Sequence, residues 1–220
     1  MLLEIACFNL QSCLIAQQTG ANRIELCENY SVGGITPSEK LITEARTKTQ
    51  IDLFVMIRPR EGNFIYTASE FELMKKQIQF CKQNNCNGVV FGILTNENKF
   101  DKIRCTELVE IAKPMPCTFH RAYDEIENSE QALEEIIECG FSRILTSGKQ
   151  KTAIEGISLL KDLVKKANGR IIIIPGGGIR SSNITELINT TDANEFHSAA
   201  LTNTSSITDE VEIRKLLSAL

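Results

Sequence analysis

Tryptophan is missing from this chain, and aromatic residues make up only 6% of it. That argues against a platform on which nucleic-acid bases stack. Positive charge is not in excess either: 24 Lys and Arg stand against 28 Asp and Glu, for a net charge of −4. Nucleic-acid binding driven by phosphate contacts is therefore not expected. No apolar run approaches the ~20 residues that cross a bilayer; the longest, residues 171–175, is strand-sized. The opening Met1-Leu2-Leu3-Glu4-Ile5 lacks the basic start and long apolar stretch of a signal peptide and reads as a strand. No membrane association and a cytoplasmic location are the expectations. The eight cysteines contain no Cys-x-x-Cys, so common zinc-finger and thioredoxin-like spacings are absent. Nothing marks the chain as secreted, and reduced thiols that mostly pack as small buried residues are expected. No Gly-x-Gly-x-x-Gly follows the first strand, so no nucleotide cofactor is expected.

What is present is an ordinary globular composition: 220 residues, 42% hydrophobic and 24% charged. Short β-branched runs alternate with stretches of helical period. Strands are predicted at 3–7, 23–27, 53–57, 88–93, 116–119, 142–145, 170–174 and 195–197. Helices are predicted at 10–19, 37–47, 69–84, 102–112, 129–139, 153–167, 183–189 and 209–217. Asn9 is read as an N-cap, and Thr36-Pro37 as a cap followed by proline in the first helical position. Eight strands alternating with eight helices imply right-handed βαβ units and a parallel sheet. An open doubly wound sheet is the rival, but eight units favour closure. The expected fold is α/β, a single-domain (β/α)8 TIM barrel over residues 1–220, with no linker dividing it.

Such barrels carry function where strands run into the following loops. Both histidines fall there, His120 after the fifth strand and His197 at the end of the eighth. Alternation along Arg23-Ile24-Glu25-Leu26-Cys27 turns Arg23, Glu25 and Cys27 into the barrel. The same argument places Glu4, Arg58 and Glu195 inside. A buried salt-bridge network is one reading of these charges and an acid/base site is the other. Glu25, His120 and His197 are the candidate catalytic groups. Arg23, Arg58, Ser147, Gly148, Gly176, Gly177, Gly178 and Ser198 form a candidate anion site, because glycine-rich loops after late strands expose N–H groups. Tight turns explain the same glycines equally well. Cys7 and Cys27 end the first two strands. Thiolates select Cu(I) or zinc, although two small packed thiols is the plainer reading.

Taken together, these residues resemble the CutC copper-homeostasis protein family. The matching segments are Leu-Leu-Glu-Ile-Ala-Cys (2–7), Asn-Arg-Ile-Glu-Leu-Cys (22–27), Gly-Gly-Ile-Thr-Pro-Ser (33–38), Val-Met-Ile-Arg-Pro-Arg (55–60), Val-Val-Phe-Gly-Ile-Leu (89–94), Thr-Phe-His-Arg-Ala-Tyr-Asp (118–124), Arg-Ile-Leu-Thr-Ser-Gly (143–148), Pro-Gly-Gly-Gly-Ile (175–179) and Glu-Phe-His-Ser-Ala-Ala (195–200). The likeness covers residues 2 to about 200. It implies a (β/α)8 barrel, a cytosolic role in copper tolerance, Cu(I) binding, and a homo-oligomer, dimer or tetramer. The family's thiols match at Cys7 and Cys27, its His-Arg pair at His120 and Arg121, and its last-strand histidine at His197. One departure stands out. Family members often carry a longer polar insert after the last strand, whereas Leu201-Thr202-Asn203-Thr204-Ser205-Ser206 runs almost directly into the final helix. Two expectations follow: a copper-handling protein whose partner is the ion, or a lyase or isomerase acting on a small anionic or phosphorylated substrate at the barrel mouth.

Overall fold

The computed structural model describes residues 1–202 and 206–220; of the 201–206 segment, residues 203–205 lie outside the described residues. The elements run in order β1 (Leu2–Cys7), α1 (Leu10–Thr19), β2 (Arg23–Leu26), α2 (Glu39–Lys48), β3 (Asp52–Met56), α3 (Ala68–Gln83), β4 (Gly88–Phe91) and α4 (Lys102–Ala112). There follow β5 (Cys117–Phe119), α5 (Ser129–Cys139), β6 (Arg143–Thr146), α6 (Ile157–Ala167), β7 (Ile172–Pro175), α7 (Ile184–Thr191), β8 (Glu195–Ser198) and α8 (Glu210–Ala219). Two 3-10 turns, Tyr30–Val32 and Arg121–Glu125, sit in the loops after β2 and β5. All ladders are parallel, in the order β7-β6-β5-β4-β3-β2-β1-β8. The sheet curls into a nearly closed (β/α)8 barrel whose seam lies between β7 and β8.

Register sorts the side chains into two layers. The pairs Glu4↔Arg23 and Glu4↔His197 put three ionisable groups at one level of the interior. Leu3, Ile5, Cys7, Ile24, Leu26, Val55, Phe91, Phe119, Ile144, Ile173 and Phe196 lie on the opposite strand faces, in the large apolar core shared with the helices. Inside the barrel, Cys27, Phe54, Met56 and Val90 form a smaller apolar cluster with Phe8 against it. Phe54 has room because β4 begins with glycine: a Cβ at Gly88 would stand 2.5 Å from the Phe54 ring.

Helix starts follow the capping logic in part. Asn9 caps α1 by accepting from the Ser12 N–H at 2.8 Å. The expected Thr36-Pro37 start of α2 is not found; the helix begins at Glu39. Thr36 is occupied elsewhere, its hydroxyl accepting from the Arg58 N–H at 2.8 Å. The Glu28 carboxylate holds Ser38 through its N–H at 3.1 Å and its hydroxyl at 3.0 Å. Likewise α6 begins at Ile157, four residues later than its apolar pattern suggests. The preceding turn brings the Gly156 backbone against Ser147 and Gly148, too close for any side chain.

Candidate functional site

The barrel interior below the mouth is ionic. Arg23, fully buried, donates to both Glu4 and Glu195. Arg143 donates to the same Glu195 at 3.1 Å. Both guanidinium groups lie over Phe54, at 4.9 and 5.1 Å from its ring centre. Cations stacked on a ring and paired with carboxylates meet the cost of burial that either alone would incur. Arg23 therefore belongs to the structural network and not to the anion site expected for it: it does not line the mouth cavity. Arg143 is a member that sequence reasoning missed, because it opens β6 where a charge reads as a strand end.

His197 stands level with Glu4 and Arg23, and Glu25 one step above them. His197 Nδ1 lies 2.7 Å from Glu4 and its Nε2 3.8 Å from Glu25. Burial works against its charge, but Glu25 and Glu4 outweigh that and raise its pKa. Burial also opposes the charge of Glu4, yet Arg23 and then His197 bring its pKa down to about 2. Glu25 behaves oppositely. Burial dominates and pushes it up to about 7, with His197 opposing. One Glu25 oxygen accepts from the Cys27 thiol at 3.5 Å, and the other, Oε1, is buried without a partner among the described residues. Among the described residues, Glu4, Glu25 and His197 form a group spaced closely enough to hold a metal ion.

His120 closes the opposite side. Its Nδ1 accepts from the Ala122 N–H at 3.2 Å, which places the ring proton on Nε2. That Nε2 is buried and has no partner among the described residues. Burial first, and the nearby Arg58 second, lower its pKa to about 3, so the ring is neutral. The Phe64 ring packs against it at 4.6 Å, with the Arg58 guanidinium on Phe64 at 4.9 Å. Gly92 makes room for it, since a Cβ there would meet the imidazole at 2.8 Å.

Glu25, His120 and His197 share one cavity of about 280 Å³, which Arg58, Arg121, Arg180, Gly177, Gly178 and Ser198 also line. Arg58 is held by three backbone carbonyls, of Val32 and Gly34 at 2.9 Å and of Gly62 at 2.8 Å. Arg180 donates to the Ile179 and Leu201 carbonyls and to Ser198 Oγ at 3.4 Å. Neither has a carboxylate partner among the described residues. Arg180 was missed in the sequence, although it stands just past the Gly-Gly-Gly-Ile run. Gly177 and Gly178 adopt φ of +100° and +73°, and their N–H groups, like that of Ala199, find no acceptor among the described residues.

The loop after β6 does not join this site as expected. Asp124 accepts from the N–H groups of Ser147 and Lys149 and from the hydroxyls of Thr146 and Ser147. The Gly148 N–H goes to Thr146 Oγ1 at 3.0 Å. A side-chain carboxylate thus already fills the anion cradle at Ser147 and Gly148. Gly176 is likewise spent on packing, 2.5 Å from Leu145 at its Cβ position, and lies outside the cavity.

The two thiols sit at the ends of neighbouring strands but on different layers. The Cys27 N–H donates to the Cys7 carbonyl at 2.9 Å. Cys7 belongs to the outer core, where Cys13 of α1 adjoins it, and Cys27 to the interior cluster. Burial raises both thiols well above their ordinary range, helped at Cys7 by Cys13 and at Cys27 by Glu25.

Fold and mouth together define a small TIM barrel with a polar, cation-rimmed pocket at the carboxyl ends of its strands. The chain belongs to the CutC family, whose match spans residues 1–202. It is 43% identical over 199 residues to the human copper homeostasis protein cutC homolog, covering 90% of this chain and 73% of that protein. It is 46% identical over 200 residues to the CutC family protein of Parabacteroides distasonis, covering 90% and 82%. The crystal structure of the Streptococcus agalactiae CutC protein superposes with a TM-score of 0.86 at 33% identity, covering 90% of this chain and 98% of that chain. Phosphoribosyl anthranilate isomerase from Thermotoga maritima superposes with a TM-score of 0.64 at 15% identity, covering 100% and 98%, a likeness of fold alone.

Proposed function

We propose that this chain serves copper homeostasis in the cytosol by binding Cu(I) at Cys7 and Cys27. What carries the proposal is its 43% identity, over nine-tenths of its length, to a human protein named for copper homeostasis. The backbone bond between Cys27 and Cys7 keeps the two strand ends adjacent at the rim of the barrel, but the thiols face opposite sides of the sheet, so a shared ion requires these ends to rearrange as it binds. Cu(I) accepts few ligands and prefers sulfur, and each thiol gives up its proton when the ion arrives. Cys13, adjoining Cys7, is a third sulfur within the same region. The test compares wild type with C7S/C27S under anaerobic, reducing conditions against a chromogenic chelator. Loss of tight binding with an unchanged circular dichroism spectrum is the expected result; unchanged affinity in the double variant overturns the assignment. The family resemblance also implies a homo-oligomer, dimer or tetramer, which sedimentation equilibrium measures directly.

A second reading is supported by one particular observation. Glu25 Oε1 and His120 Nε2 are both buried, both without a partner, and both belong to residues lining the mouth cavity. Orphaned buried polar atoms are costly, and a ligand that completes them recovers the cost. The mouth is then an acid/base site for a small anionic compound, of the lyase or isomerase kind. Titration with inorganic phosphate, followed by amide chemical shifts, tests it. Shifts gathered at Gly177, Gly178, Arg180 and Ser198 are expected; a spectrum indifferent to phosphate and to small carboxylates counts against the reading.

A further inference from the structure

We infer that the mouth cavity takes a small carbonyl compound bearing a carboxylate or phosphate group, which Glu25 and His120 interconvert with its enolate. The inference rests on the second reading above and adds the substrate class and the division of labour.

Three separate observations specify that ligand. Charge comes first. Arg58, only 7% exposed, and Arg180 face the cavity held by neutral acceptors, with no carboxylate partner among the described residues. Two fixed cations with no ion-paired carboxylate among the described residues, Glu125 being the acid near Arg58, attract an anion, and the N–H groups of Gly177, Gly178 and Ala199, which have no acceptor among those residues, add donors beside them. The second observation is a single neutral donor. With Nδ1 accepting from the Ala122 N–H, His120, which lines the cavity, keeps Nε2–H buried and unpaired among the described residues. A neutral imidazole N–H suits a carbonyl oxygen on which negative charge develops. The third is a single acceptor. Glu25 Oε1 cannot tolerate a second anion beside it, but it can receive a proton from carbon. Glu25 lies on β2 and His120 follows β5, so the two groups approach a ligand from different sides of the barrel. The cavity of about 280 Å³ is at the small end of ligand pockets, which suits a small compound.

The step balances without any outside oxidant or reductant. The carbon next to the carbonyl loses a proton to Glu25 Oε1. The C–H electron pair forms the new carbon–carbon double bond, and the carbonyl π pair moves onto oxygen, where His120 Nε2–H holds it. Once the Glu25 proton has swapped with solvent, its return to the same carbon gives exchange; where that carbon bears a hydroxyl, passage of the hydroxyl proton to the enolate oxygen and delivery of the carbon proton to the former carbonyl carbon gives the hydroxy-carbonyl isomer.

The test is deuterium incorporation in D2O by the full-length protein, followed by proton NMR. One arm uses 2-oxobutyrate for the carboxylate class and the other dihydroxyacetone phosphate for the phosphate class. Exchange in at least one arm is expected to run about 100-fold or more above buffer. E25Q is expected to lose ~10²-fold or more of that rate, and H120Q ~10²- to 10³-fold, while both still bind inorganic phosphate. R180M is expected to raise KM about tenfold with little change in kcat, as loss of uniform binding does. If the probes bind but neither arm exchanges faster than buffer, or E25Q exchanges as fast as wild type, the proton-transfer inference is overturned and the ligand site stands. If neither probe nor phosphate binds, the reading of the mouth as a ligand site fails as well. Should E25Q not fold, E25D serves in its place, with exchange lost and phosphate binding kept.

Discussion

At the scale of single residues, the deepest part of the barrel depends on Arg23. It joins Glu4, Glu195 and the Phe54 ring, and nothing else there carries charge to both carboxylates. Replacing it by methionine keeps much of the volume but leaves part of a buried ion network uncompensated. R23M is expected to cost about 3–5 kcal/mol in urea unfolding; a loss under about 1 kcal/mol would show that His197 and Arg143 suffice. The ionisable groups also set the response to acid. His120 keeps its proton off in the folded state down to about 3, against an ordinary value of 6.5. Its depressed pKa means stability that is complete above 6.5 and lost as the pH falls from 6.5 toward 3. Glu4, lowered from 4.5 to about 2, adds a loss of the same sign over that lower window. His197, raised, works the other way: its contribution is full below 6.5 and fades as the pH climbs through its folded value. H120Q is therefore expected to flatten the decline in stability between pH 6.5 and 4, measured as urea midpoints against pH. A curve parallel to wild type would mean that the imidazole takes up its proton in the folded state.

At the scale of elements, glycines placed on strands decide where the functional rings can sit. Gly92, just beyond β4, leaves the space that the His120 imidazole occupies, with Phe119 a further 2.9 Å neighbour of its missing Cβ. G92A is expected to cost about 1–3 kcal/mol by overpacking and to shift the His120 ring resonances. A variant as stable as wild type with unshifted resonances would show that the imidazole has slack. Much of this level was legible in the sequence. The β/α alternation placed every strand and helix, because buried parallel strands read as β-branched runs and helices such as α5 and α6 carry a clear apolar face. Period-two alternation turned Arg23, Glu25 and Glu195 inward as observed. What escaped reading were choices made by distant side chains. Asp124 fills the β6 loop from the turn after β5, Thr36 abandons its cap to hold Arg58, and Gly156 packs on Ser147. Each pairs residues whose spacing along the chain gives no hint of contact, so local pattern alone could not show that Ser147 and Gly148 were already occupied or that Arg180 was available.

At the scale of the whole molecule, a chain of net charge −4 gathers uncompensated positive charge at the mouth of its barrel. Among the described residues no helix is long and apolar enough to cross a membrane. The barrel thus has two places that meet at Glu25, which accepts from the Cys27 thiol: buried sulfur at the ends of β1 and β2, and a donor-rich pocket ringed by the loops after the later strands. The proposed Cu(I) would go to the first and the proposed anionic ligand to the second. Family membership speaks for copper, and the geometry of the mouth speaks for a small anion, so the two are separable by which ligand each variant loses. The most direct measurement of the copper role is an anaerobic titration of the reduced wild-type protein with Cu(I) against a competing chelator. Tight binding of one ion per chain is the predicted result. Binding no tighter than that of an ordinary surface thiol would contradict the copper assignment.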